Sequence, residues 1–203
     1  MATLEKPFLY IALGAVFPIL FFLTGWWGSY LWAAEKNIPY FALGGLALGA
    51  VLDALVLKRL VDGAYQIPLG TMAFIYIFYA VGVFGFCMGV PLLVVLMGLA
   101  GGYYIGRRLK YNQAQPVDAR RTMRLTSIFT SLVMALACAG ALVLAASEAT
   151  LANQINSMLK DLLEWNAGFD KQTILWFSLA AGSALAAGEY FLTRAAVKIT
   201  FNQ

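Results

Sequence analysis

Apolar residues run along this chain in six long stretches, roughly 8–32, 39–57, 69–89, 90–106, 125–147 and 173–193, with short polar connections between them. About 20 such residues carry a helix across a bilayer. The pattern therefore predicts an all-α, polytopic integral membrane protein: a bundle of six transmembrane helices forming one domain over 1–203. Pro39, Pro68 and Pro91 each fall at the start of a stretch, where a missing N–H is harmless. Pro18 lies inside the first stretch and should kink it, leaving a carbonyl for a neighbouring helix to satisfy.

The connection before the last stretch has its own periodicity. Leu151, Ile155, Met158, Leu159, Leu162 and Trp165 recur at helical spacing, and Asn153, Asn156, Lys160, Asp161 and Glu164 take the other positions. This predicts an amphipathic helix over about 150–166, lying at the outer interface between spans five and six and stopped by Gly168.

Composition strengthens the membrane reading. Of 203 residues, 62% are hydrophobic and 12% charged, and the mean hydropathy is +0.77; a soluble domain is nearer half apolar and a quarter charged. The first apolar run is too long for a signal peptide and is read as a retained span. Histidine is absent, which removes the commonest general base and metal ligand. Cys87 and Cys138 sit in separate apolar runs, too few for a zinc site. No nucleotide-binding loop, catalytic carboxylate pair, heme ligands or redox motif is visible, so no catalytic residues, metal or cofactor are assigned and an enzyme is the less favoured class.

Charge sets the orientation. Lys58 and Arg59 follow span two, six basic residues occupy 107–124, Lys6 precedes span one, and Arg194 and Lys198 follow span six. The opposite connections carry few cations, and in 148–172 acids outnumber them. Both termini are thus expected in the cytoplasm, with the chain in a cell inner membrane. The basic 107–124 segment fits anionic lipid better than nucleic acid. Trp26, Trp27, Tyr30 and Trp32 would form an aromatic belt at the outer end of span one.

Small residues recur every four positions: Gly45/Gly49, Gly85/Gly89, Gly98/Gly102/Gly106 and Ala180/Ala184/Gly188. Such ridges bring helices close, within the chain or against a partner membrane protein or second copy. Hydroxyls within spans, among them Thr24, Tyr76, Thr130, Ser131 and Ser183, are expected mostly to bond their own helix carbonyls.

Two acids lie inside the apolar runs. Asp53 precedes Lys58 in span two, and Glu189 precedes Arg194 in span six, so both should sit at similar depth in the cytoplasmic leaflet. Arg107 and Arg108, at the inner end of span four, are expected near that level. Acids within a membrane are costly and mark functional sites by default. Asp53, Glu189, Arg107 and Arg108 are the candidate substrate- or ion-binding residues; the competing reading is a structural tie between spans two, four and six. The stretch GGLALGAVLDALV is similar to the Gly-rich, Asp-containing helix end in substrate-binding components of energy-coupling-factor vitamin transporters, and the resemblance implies solute binding for import. It is confined to that stretch and assigns no family. The expected function is transport or binding of a small solute or ion, with a non-catalytic scaffold or accessory subunit as the alternative.

Overall fold

The computed structural model describes residues 5–87, 91–164 and 168–202. Among them the regular structure is helical throughout: α1 Glu5–Gly14, α2 Val16–Tyr30, α3 Ile38–Asp62, α4 Leu69–Phe86, α5 Val94–Tyr111, α6 Pro116–Ser147, α7 Leu151–Leu163 and α8 Lys171–Asn202, with short 3-10 turns before α3, α4 and α5. Five segments are long and apolar enough to cross a membrane: Glu5–Tyr30 (α1 with α2), Glu35–Asp62 (α3 and its turn), α4, α6 and α8. The fourth expected span corresponds to α5, whose apolar part is followed by Arg107, Arg108 and Lys110 within the same helix.

At their basic ends the helices run past the hydropathy boundaries, although α2 and α4 stop short of theirs, at Tyr30 and Phe86, and α5 starts late, at Val94. The segment 107–124, expected as a connection, is mostly helix: α5 runs on to Tyr111 and α6 begins at Pro116, leaving a turn of 112–115. Likewise α8 continues to Asn202. Hydropathy marks where a helix is greasy, whereas Arg, Lys and Ala are good helix formers that prolong it into water.

The chain divides into two compact units, Met1–Thr71 and Met72–Gln203. In the first, α2 packs on α3. The helix is interrupted at Ala15, between α1 and α2. Pro18 has no N–H for the carbonyl four residues earlier, which belongs to Gly14, so the break falls one turn before the proline. Across it, Ala15 N–H reaches Ile11 O at 3.4 Å and Ile19 N–H reaches Ala15 O at 3.2 Å. Glycines make the α2–α3 contact possible. A Cβ on Gly45 would collide with the Phe21 carbonyl, and one on Gly49 would lie 2.6 Å from the Phe17 carbonyl. The predicted ridge is therefore a backbone-to-backbone contact, continued toward the C-terminal end of α2 by Gly25 against Phe41.

In the second unit α8 is the common partner of α5 and α6. Tyr76, Ala80, Val94 and Met134 form a small buried core from α4, α5 and α6, with Leu185 and Ala186 of α8 packed against it. The outward faces are as apolar as the core: Phe74, Val81, Leu136, Val143, Phe177 and Phe191 are each more than half exposed. Trp27, Tyr30 and Trp32 at the end of α2 are also exposed, and Trp32 meets Phe41 edge-on with centroids 4.8 Å apart.

The amphipathic helix appears as α7, ending at Leu163 rather than near Gly168. Leu151 and Ile155 are half-buried, whereas Lys160, Asp161 and Glu164 are exposed; the side chains of Met158, Leu159, Leu162 and Trp165 lie outside the described set. Asn156, assigned by pattern to the polar face, makes a two-bond clasp to the backbone of Phe169, at 2.8 and 2.9 Å. Gly168 follows at φ 60°, a conformation that favours glycine. Asp170 caps α8 by accepting from Thr173 N–H at 3.2 Å, and this bonding holds its carboxyl below the usual range. The cap is therefore present above the ordinary carboxylate range and is lost as pH falls through the lowered value.

Candidate functional site

Glu189 is the most completely buried acid of the second unit, 0% exposed in the middle of α8. Three neighbouring helices surround it. From α4, the Tyr76 hydroxyl donates to Oε1 at 3.3 Å. From α5, Gly98 lies so close that a Cβ there would overlap the carboxylate. One turn along α8, the Thr193 hydroxyl pairs with that of Thr130 on α6 at 2.9 Å, and Thr130 also lies 3.2 Å from the Ser127 carbonyl. Since Thr130 donates to that carbonyl, Thr193 is the donor in the threonine pair. The second carboxylate oxygen, Oε2, is buried and has no hydrogen-bond partner among the described residues.

The glycine ridge of α5 builds this site. Gly98 meets Glu189 and Thr193, Gly102 meets Thr193 and Ala196, and Gly106 meets Val197 and Thr200. Residue numbers rise together on both helices, so α5 and α8 run parallel in direct contact. The ridge expected from sequence is thus a docking surface for α8. The other two ridges are not used in this way: a Cβ on Gly85 or Gly188 would have nothing within 4 Å, and Ala180 and Ala184 are exposed. Gly89 lies outside the described residues.

This register corrects the expected depth match. Arg107 and Arg108 follow Gly106, which is level with Thr200 rather than with Glu189. Nine residues separate Gly98 from Arg107, about 14 Å along the helix. Arg108 Nη1 donates to the Tyr104 hydroxyl at 3.4 Å. The expectation failed because α8 does not end near Arg194, so distance from that arginine is no measure of distance from the end of α5.

Asp53 lies in the first unit, on α3 one turn beyond Gly49. Its Oδ2 is 3.1 Å from where a Gly14 Cβ would stand, and its Oδ1 is buried without a hydrogen-bond partner among the described residues. Gly14 is also the residue whose carbonyl Pro18 leaves without its helical donor. Asp53 therefore packs beside the α1–α2 break.

Among the described residues no group of His, Cys, Asp and Glu could hold a metal ion. Thr24 and Ser183 bond their own helices as expected, to Leu20 and Leu179 carbonyls. Ser131 does not: its hydroxyl crosses from α6 to the Ala186 carbonyl of α8 at 2.7 Å. Thr193 was missed at the level of sequence, although it stands four residues from Glu189 and so on the same helix face. Comparison with protein-family models, curated proteins and solved structures gives no match.

Proposed function

We propose that this chain crosses the membrane six times, with α5 as the fourth span and both termini cytoplasmic, and that it binds and moves a small cation or cationic solute through Glu189. The observation that carries the reading is the carboxylate itself: wholly buried, held by one tyrosine hydroxyl, with one oxygen left over. A structural ion pair would place a cation against Glu189. What faces it instead is a phenol, a glycine backbone and a threonine. An ionised carboxylate in such surroundings needs a positive charge, and a proton and a cationic solute can serve in turn. Exchange between them is the chemistry of coupled transport. Asp53, with its unpaired Oδ1 beside the α1–α2 break, is a second acid of the same kind in the first unit.

The orientation is checked by labelling. A single cysteine at Asn112, in a background lacking Cys87 and Cys138, should react with an impermeant reagent only from the cytoplasmic side, and one at Asn156 only from outside. The reverse pattern would overturn the topology.

Function is tested in liposomes that hold the purified protein and a pH-reporting dye. External methylammonium should dissipate an imposed proton gradient with wild-type protein, and Glu189→Gln should reduce the rate to the protein-free level. An undiminished rate in the variant would reject Glu189 as the site. A second reading, a scaffold for another membrane protein, is favoured by one feature: Ala180, Ala184 and Gly188 present an open small-residue face on α8, turned away from Glu189. Protein-free rates from the wild type would favour that reading.

A further inference from the structure

A groove of about 290 Å³ runs between α6 and α8 on the N-terminal side of Glu189 along α8, close to the lower end of the range of small-molecule sites, ~300 Å³. Its walls are mostly apolar: small residues including Cys138, Gly182 and Ala186, together with Leu142 of α6 and Leu179 of α8. It exists because Gly182 packs against Cys138, with 3.0 Å from a Gly182 Cβ position to the Cys138 Cβ, so neither helix brings a large side chain to the crossing. The lining residues Ala135, Ala139, Leu179 and Ser183 are exposed, and beside them Leu136 and Val143 of α6 are exposed as well. A ligand would therefore enter from the hydrocarbon of the bilayer.

What the groove leads to matters more than its size. On α8 the lining positions Ser178, Gly182 and Ala186 continue at helical spacing into Glu189 and Thr193, one stripe on one face. Ala186 and Glu189 are three residues apart, about 4.5 Å along the axis. Met134 stands beside this junction, fully buried and in the cluster against which Ala186 packs. It is flexible enough to yield to a ligand. The slot stops at Ala186, about one turn short of the wholly buried Glu189 with its unpartnered oxygen; with Met134 moved aside, the two together are complementary to a molecule with an alkyl tail and a positive head.

We propose that the α6–α8 groove receives the tail of an amphiphilic alkylamine from the bilayer, with its ammonium directed to Glu189 Oε2. This rests on the reading of Glu189 as a cation site and names the substrate class: a lipophilic amine rather than a hydrated ion. A neutral lipid chain would fit the slot equally well but would draw nothing from the carboxylate.

The test uses the full protein in lipid nanodiscs and radiolabelled dodecylammonium, with binding to empty discs subtracted. The wild type should hold dodecylammonium about tenfold or more tightly than dodecanol, the advantage of a charge-assisted hydrogen bond. Glu189→Gln should remove that preference. Ala139→Phe, at an exposed lining position, should block both ligands without lowering the melting temperature, and Ala135→Phe provides an independent block. Equal binding of the amine and the alcohol, or amine binding unchanged in both phenylalanine variants, would overturn the proposal. Absence of dodecylammonium binding alongside Glu189-dependent methylammonium flux would sink the lipophilic-amine inference alone. Absence of both would sink the cation-site reading with it.

Discussion

Gly45→Ala should markedly lower the thermal stability of the protein in detergent, whereas Gly44→Ala, one residue away, should leave it unchanged or raise it. The two glycines differ only in what they face. A methyl group on Gly45 would occupy the space of the Phe21 carbonyl on α2, while nothing lies within 4 Å of the equivalent position on Gly44. Overpacking a core ordinarily costs about 1–3 kcal/mol, because side chains rotate to relieve it. Here the obstacle is main chain, so relief requires α2 and α3 to separate, which also opens the Gly49 contact with Phe17 and Pro18. The expected loss is therefore at the upper end, about 3 kcal/mol or more. At Gly44 the only consequence is less backbone freedom in the unfolded chain, a gain of up to about 1 kcal/mol. Tryptophan-fluorescence melting reads both. Equal melting temperatures for the two variants would refute the described crossing.

The Glu189–Tyr76 pair should show stability and function pulling in opposite directions. Tyr76→Phe removes the hydroxyl that donates to Oε1 and leaves the buried carboxylate with one bond fewer. Glu189→Met keeps most of the volume but strands the Tyr76 hydroxyl. Each single change should cost about 1–3 kcal/mol, the penalty of a buried polar group without its partner. The double variant should be more stable than either, near or above wild type, because two apolar groups of similar shape replace the pair. The expected non-additivity is of order 1–3 kcal/mol by double-mutant cycle. Both variants that carry Glu189→Met should nonetheless lack methylammonium flux. A site retained for function at a cost in stability behaves in this way. Strictly additive single effects would show that the two side chains do not act together.

How much of this was legible beforehand depends on which physical signal each feature leaves in the chain. The break at Ala15 was foreseeable from Pro18, because a missing N–H acts locally on the carbonyl four residues back. The glycine ridges were visible as spacing, but spacing treats all four alike. Gly45/Gly49 and Gly98/Gly102/Gly106 meet another helix of the chain, whereas Ala180, Ala184 and Gly188 face outward. Which face of a helix meets a neighbour is decided by how helices pair, and in a chain apolar on every side hydropathy does not mark the buried stripe. Glu189 was singled out because an acid in an apolar run is conspicuous. The residues that build its surroundings, Tyr76, Gly98, Thr193 and, through Thr193, Thr130, come from four helices spread over more than a hundred residues, and none is unusual where it stands.

The class of the protein is legible in the order of residues alone: long helices, apolar enough to cross a membrane, interrupted where proline and glycine disturb the backbone. These are properties of short stretches, governed by hydrophobicity, backbone hydrogen bonding and capping, and they can be read without knowing what lies opposite. That α5 and α8 run side by side in a register set by three glycines emerges only from the packing of the helices. That register places Glu189 against Tyr76 and Gly98 and leaves Arg107 about 14 Å away along α5. It is a property of close contact between backbones distant in sequence, where about one ångström decides whether a methyl group fits. No count of charges from a helix end carries that information.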